Sequence, residues 1–389
     1  MNSSLPLIAV TLLLLLSQCG CIHIETGGHS ASYTHDSNDF NVITNRVSQG
    51  EIDANLKEIH VTNRSGKVRI VGSDSGPWTW SWSLTVKARK EAEGLRVAEQ
   101  ARIQVEAHDG TLRLETVLPE SSGRLQVQSD VEVRVPRQAL VRVSNSFGPV
   151  EVEGLSGTAE VRSRNGSTSI QDIGGAVTAE SAFGSLTVRR TGPAQLKNQN
   201  GKIEASDIRG PLEAQTSFSS LRADSIGGPA TLKNQNGRIE VVRSGAVQAR
   251  TSFASLEVRE VSGDATLSNQ NGKITGTAIR GSVTAETSFS ALEIEAEAPE
   301  IICRNQNGAI RIQARSTALT NLVAETSFAP MEVRLPATLT PQLEARTSFG
   351  RIESDFPVLL NPPSGRTAEM TGPTVRLSNQ NGGIRVVKE

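Results

Sequence analysis

At 389 residues, with a formal net charge of −1 and only 3% aromatic residues, the chain has room for several domains. It shows no basic footprint for nucleic acid and few rings for an aromatic sugar-binding cleft. Its cysteines are Cys19, Cys21 and Cys303, which imply no disulfide framework within the mature body. In chain order the first element is the apolar stretch 5–16, shorter than the roughly 20 residues of a permanent membrane span, and it reads as a signal-peptide core.

The residues that follow, Leu16-Ser17-Gln18-Cys19 and Gln18-Cys19-Gly20-Cys21, resemble the lipobox of bacterial lipoproteins. That resemblance implies cleavage and lipid attachment at Cys19 or Cys21, with residues 1–21 as the signal peptide. The residue after either cysteine is Gly20 or Ile22 rather than Asp, which for such lipoproteins implies the outer membrane. A conventional cleaved signal with a secreted product is the alternative, and export follows from both.

Residues 22–55 are rich in Ser, Asn, Asp, Gly and Thr with little periodicity, and are expected to be a flexible tether. His23, His29 and His35 fall there without an accompanying acidic or cysteine ligand set, so neither a metal nor a cofactor is expected. Residues 56–140 read as an irregular β-rich cap. Alternation around Arg64-Ser65-Gly66 gives two strands and a corner, and Trp78, Trp80 and Trp82 share one face of a strand that is expected to cover the first rung of the repeats. The composition of 87–101 favours one short helix, and strands resume at 103–107, 111–117, 125–128 and 131–135.

From residue 141 to 389 one corner motif recurs in two versions. One is Asn-Gln-Asn-Gly, ending at Asn200-Gly201, Asn236-Gly237, Asn271-Gly272, Asn307-Gly308 and Asn381-Gly382; the other is Thr-Ser-Phe, ending at Phe218, Phe253, Phe289, Phe328 and Phe349. Both occupy the same point of a shorter unit, because the motif position falls at Gly148, Gly166, Gly184, Gly201, Ser219, Gly237, Ala254, Gly272, Ser290 and Gly308, in steps of 17 or 18 residues. A unit that short buries no core alone and must stack on its neighbours. Within 201–218 two alternating runs flank the turn Ile208-Arg209-Gly210-Pro211, giving two short strands and two corners per coil. The fold class is therefore all-β: a parallel β-solenoid, or β-helix, with coils of about 18 residues. At about 4.8 Å per coil the corners from Gly148 to Gly382 span roughly 60 Å.

Asn-Gly is expected to turn the chain through positive φ. Identical corners stand two coils, about 9.6 Å, apart, so any polar ladder must run Asn to Thr to Asn. Strand alternation points the phenylalanines inward as plugs of the corner, although a rotated corner would set them outward as an apolar stripe. The outward column Glu204, Arg222, Glu240, Glu257, Glu293 and Arg311 reads as a solvated face, its glutamates balanced by Lys202, Arg238 and Lys273. Cys303 is expected to be a small core residue.

The segments 61–70, 131–136 and 146–154 resemble the bacterial putative-adhesin family of β-strand-repeat proteins, whose biochemical function is unknown. The resemblance extends over roughly 45–389. It implies a solenoid on the cell envelope without catalytic residues. The steps to Ala329, Gly350 and Gly382 are longer than the repeat, and the Pro-rich 357–363 there is expected to be a loop or cap.

These observations favour a non-enzymatic, envelope-anchored scaffold, adhesin-like or structural, whose partners are the membrane and a surface glycan or protein. Self-assembly through uncapped strand edges is open, with Lys388 and Glu389 placing charges on the last strand. An envelope-stress sensor or partner is one alternative. A polysaccharide-lyase type of enzyme is the other, but it needs acids and bases gathered in a groove of long loops, and every histidine lies at or before His108.

Overall fold

The computed structural model describes residues 21–26, 30–32, 42–53, 56–119, 125–359 and 372–389. The signal peptide and Cys19 lie outside these residues, as do His29, His35 and residues 360–363 of the Pro-rich stretch. The described chain is a parallel β-solenoid with one helix, Glu91–Gln100. Each coil contributes one strand to each of two sheets, of 19 and 17 strands among the described residues. In the coil of 203–216, Ile203–Ile208 belongs to one sheet and Leu212–Thr216 to the other, with inward Ile203, Ala205, Ile208, Leu212 and Ala214 all buried.

Strands of successive coils pair in parallel and residue for residue, so identical depths form columns. Ile203 lies beside Leu221, Leu221 beside Ile239 and Ile239 beside Leu256. In the other sheet Leu196, Ala214, Leu232, Ala249, Leu267 and Ala285 alternate large with small. A leucine in one coil thus overhangs the space left by alanines above and below, which lets a narrow core pack densely. Cys303 continues this column between Ala285 and Ala324. It is fully buried, and burial pushes its thiol pKa up, which keeps it protonated and unreactive.

The sequence order of coils is broken at both ends. Thr111–Val117 and Gln126–Pro136 form the outermost parallel coil at the N-terminal end, with the earlier segments Glu58–Ser65 and Val68–Ser73 between it and Leu140–Leu155. At the other end Thr374–Asn379 pairs with Asn321–Thr326 on one side and Gln342–Thr347 on the other. Likewise Ile384–Lys388 lies between Met331–Leu335 and Ile352–Ser354. The last strands of the chain are therefore intercalated, and Lys388 and Glu389 do not mark the end of the rod. Glu389 instead bonds back into it, its amide to the Leu335 carbonyl at 2.9 Å. The terminal coil carries Phe356, buried, with the Lys388 ammonium 5.0 Å from its ring centre.

Part of the expected tether is strand. Val42–Asp53 pairs antiparallel along Trp78–Ala88, and Cys21–Thr26 pairs with Val42–Asp53 in turn. The run was obscured because polar residues such as Ser48 and Gly50 occupy inward positions beside the large indoles, where little room remains. Trp78, Trp80 and Trp82 are buried, and the Trp82 indole donates to the Ser129 hydroxyl at 2.8 Å. These antiparallel strands cover the edge that Gln126–Pro136 would otherwise present to solvent.

Candidate functional site: the phenylalanine and asparagine edge

Each corner begins with a buried polar residue. Asn198, Thr216, Asn234, Thr251, Asn269, Thr287, Asn305 and Thr326 are 1–6% exposed, and successive residues stack in register. Their partners are backbone groups. The Asn234 amide donates to the Ser219 carbonyl at 2.6 Å while its oxygen accepts from the Gly237 amide at 3.0 Å. Thr251 donates to the Gly237 carbonyl at 3.0 Å. The ladder does run Asn to Thr to Asn, but through the carbonyls between them. Backbone groups that the turn takes out of strand pairing are thereby satisfied inside the corner.

The second asparagine of four Asn-Gln-Asn-Gly corners bonds in the same direction. Asn236 donates to the Ser217 carbonyl at 3.2 Å, Asn271 to Ser252 at 3.3 Å and Asn307 to Ser288 at 3.2 Å, with Asn200 reaching Ala182 at 3.4 Å.

Positive φ serves the early corners, where Gly148, Gly166 and Gly184 have φ of 116°, 142° and 98°, but not the later ones. Gly201, Gly237, Gly272 and Gly308 lie outside the left-handed region, as do Asn200, Asn236, Asn271 and Asn307. At Gly237 the need is space, because a Cβ there would collide with the Ser219 carbonyl oxygen and the Asn234 amide. The non-glycine left-handed residues stand elsewhere. Asp172, Arg190, Asp207, Ser225, Arg243, Glu260 and Ala278 have φ of 52° to 59°, one per coil, in the strand before the opposite corner. There two consecutive side chains face outward before Ile173, Ile208 or Ile279 turns in. No glycine occupies these seven positions; the one sequence signal for the column is Gly154, which stands beside Asp172 one coil earlier with φ of 75°.

The phenylalanines face outward, against the expectation from alternation. Phe147, Phe183, Phe218, Phe253, Phe289, Phe328 and Phe349 are 50–83% exposed. Alternation ends at the buried Asn or Thr, after which the chain bends; the inward slot is already taken by the residue that satisfies the corner carbonyls. A phenylalanine placed there would leave the Gly201 carbonyl without the 3.0 Å bond from Thr216.

Along the rod, this position therefore reads Phe147, Asn165, Phe183, Asn200, Phe218, Asn236, Phe253, Asn271, Phe289, Asn307, Phe328, Asn381 and Phe349. Intercalation of the last coil keeps the alternation unbroken, since Asn381 stands between Phe328 and Phe349. Rings recur every two coils, about 9.6 Å apart. Each left in water forfeits a good part of the about 1.5–3 kcal/mol that full burial would contribute.

The outer faces are ionic. Arg222 meets Glu240 at 3.0 Å, Arg238 meets Glu257 at 2.6 Å, and Lys273 and Arg311 both meet Glu293, at 2.6 and 2.9 Å. On the left-handed column Arg190 holds Asp172 through two bonds of 2.7 and 2.8 Å. The hydrogen bond from Arg190 holds the Asp172 carboxyl below its ordinary range, as Arg69 does for Glu153 and Lys273 for Glu293. These are coil-to-coil braces. Among the described residues no group of three or more His, Cys, Asp or Glu could hold a metal ion.

No protein-family model matches the chain, and no curated protein matches it. Among solved structures it is similar to a putative cell adhesion protein from Clostridium sporogenes, with 10% identity over 94% of this chain and 100% of that one and a TM-score of 0.18. It is also similar to a putative adhesin from Bacteroides fragilis, with 17% identity over 67% of this chain and 96% of that one and a TM-score of 0.29. A putative adhesin from Parabacteroides distasonis shares 13% identity over 87% of this chain and 96% of that one, with a TM-score of 0.21.

Proposed function

We propose that the chain is a non-enzymatic cell-envelope scaffold of adhesin-like type, an exported rod whose phenylalanine and asparagine edge is its interaction surface. The observation that carries this reading is the regular row of exposed rings from Phe147 to Phe349, one at every second coil. Exposed apolar rows of this extent mark surfaces that meet a partner. The charged residues on the faces support it from the other side, because depressions there are lined by groups already paired. Glu293 and Arg311, for example, line one such depression and hold each other.

Lipid attachment at Cys19 or Cys21 would place the rod on a membrane, with the outer membrane as the site. Replacing both cysteines with serine is then expected to release the protein from membranes, and continued retention would show that the anchor lies elsewhere. The interaction surface is tested by binding the full chain to a panel of surface glycans and envelope proteins, beside a variant carrying Phe218→Asn, Phe253→Asn and Phe289→Asn. Binding that survives in this variant would move the surface to a face of the rod.

A further inference from the structure

We propose that the edge is covered by the same edge of a second copy of this chain, two rods lying side by side with their phenylalanines interdigitated. This deepens the reading of the edge as an interaction surface and rests on it.

Area, charge and period all favour a copy of the chain. The seven rings are 50–83% exposed; at roughly 150–250 Å² a ring they offer on the order of 600–1,000 Å². One partner of a stable complex contributes about 800 Å². Apart from the exposed Arg164 at the Asn165 corner, the strip is also uncharged. From Ala182-Phe183-Gly184 through Gln270-Asn271-Gly272 to Ser348-Phe349-Gly350, the three residues of every corner carry no ionisable side chain. Two copies can therefore face each other without opposing like charges, and charge is depleted at the centre of interfaces generally.

Period selects the occupant. A partner of any other repeat falls out of step with a row spaced at about 9.6 Å within a few rings, whereas a second copy stays in step along the whole edge. Displacing one copy by a single coil sets every phenylalanine except Phe147, at the end of the row, opposite an asparagine, in the gap between two rings of the partner. Each ring then lies about 4.8 Å along the axis from its neighbours, within the 4.5–7 Å range of aromatic packing.

A two-fold axis between adjacent coils achieves this in both protomers at once. It places Phe253 of one protomer beside Asn271 of its partner, Phe218 beside Asn307, and Phe183 beside Asn381. The last pairing exists only because the C-terminal coil is intercalated; in sequence order Phe349 would follow Phe328 directly and would stand opposite Phe183, ring against ring.

The test is the solution mass of the full chain against concentration, by sedimentation or light scattering. A dimer of twice the monomer mass is expected, and the variant F218N/F253N/F289N is expected to be monomeric at the same concentration. Asparagine already occupies this position in the alternate coils, so the variant keeps the corner chemistry. Should the triple substitution fail to fold, F253N alone, at the centre of the row, is expected to weaken the dimer at least tenfold. A wild-type chain that remains monomeric to about 100 μM, or a folded variant that still dimerises, overturns the pairing. If the monomeric wild type binds an envelope partner that the variant does not, the interaction surface stands and only the self-association is lost.

Discussion

The side-chain amide of Asn379 donates to the Ala329 carbonyl at 2.8 Å, although a complete coil, Gln342–Ser354, separates the two residues in sequence. The bond places the last Asn-Gln-Asn-Gly corner between two Thr-Ser-Phe corners that are consecutive along the chain. Thr347 in turn donates to the Gly382 carbonyl at 3.2 Å. The core obeys the same order. Leu377 lies between Ala324 and Ala345, restoring the large and small alternation that the sequence order would break.

Asn379→Ala is therefore expected to act locally at the C-terminal end. It leaves the Ala329 carbonyl and the Gly382 amide without their partners, at a cost of about 2–4 kcal/mol for two unsatisfied groups. Because stability in a solenoid is a sum of coil and interface contributions, the loss should appear as hydrogen exchange in 321–335, 342–354 and 374–388 while 194–261 stays protected. Uniform loss of protection would contradict the coil-by-coil account.

The same change at the middle of the rod separates donor loss from charge burial. Asn234→Ala removes both corner bonds at a 5% exposed site, with an expected cost of about 2–4 kcal/mol. Asn234→Asp is expected to be worse at pH 7, since a carboxylate would face the Ser219 carbonyl in a buried corner. It should recover toward the wild type on acidification, when the protonated acid can donate. Urea midpoints at pH 7 and pH 4 check this, and an Asp variant insensitive to pH would remove the donor from the explanation.

Much of this architecture was legible because its causes are periodic. Inward Ile, Leu, Val and Ala at every second position, in units of 17 or 18 residues, leave few folds other than a stacked coil, and the coil-to-coil ion pairs followed from the same alignment. The phenylalanine direction was not legible from alternation, because the corner ends the strand at the buried Asn or Thr. The intercalated coil did leave a signal: Phe328 and Phe349 are successive corners of one version, breaking an otherwise regular alternation. The strand Val42–Asp53 gave none, since its packing against Trp78–Ala88 is set by the partner strand.

The left-handed column supplies a stabilising change. Ala278 has φ of 53° and an exposed side chain, a conformation that costs an L-residue about 1–2 kcal/mol. Ala278→Gly relieves that cost, less about 0.4–1 kcal/mol from the greater freedom of the unfolded chain. A net gain between about zero and about 1.6 kcal/mol is expected in equilibrium unfolding. Asp207→Gly, at a residue type that tolerates this region better, should gain less. Destabilisation by A278G would show that the strain is relieved elsewhere.

Acid should loosen the rod through its braces. The carboxyls of Glu153 and Glu293 are held below the ordinary 4.5, and that of Asp172 below 3.8, chiefly by hydrogen bonds from Arg69, Lys273 and Arg190. Each group binds fewer protons folded than unfolded. Its contribution is therefore complete above the ordinary value and is lost as pH falls through the depressed one. Urea midpoints should be level from pH 7 to about 5 and decline below about 4.5. The pairs are largely solvent-exposed, so the decline should be shallower in 1 M salt, where screening acts within about 3 Å. A midpoint unchanged down to pH 3 would mean that these ion pairs contribute nothing to holding the coils together.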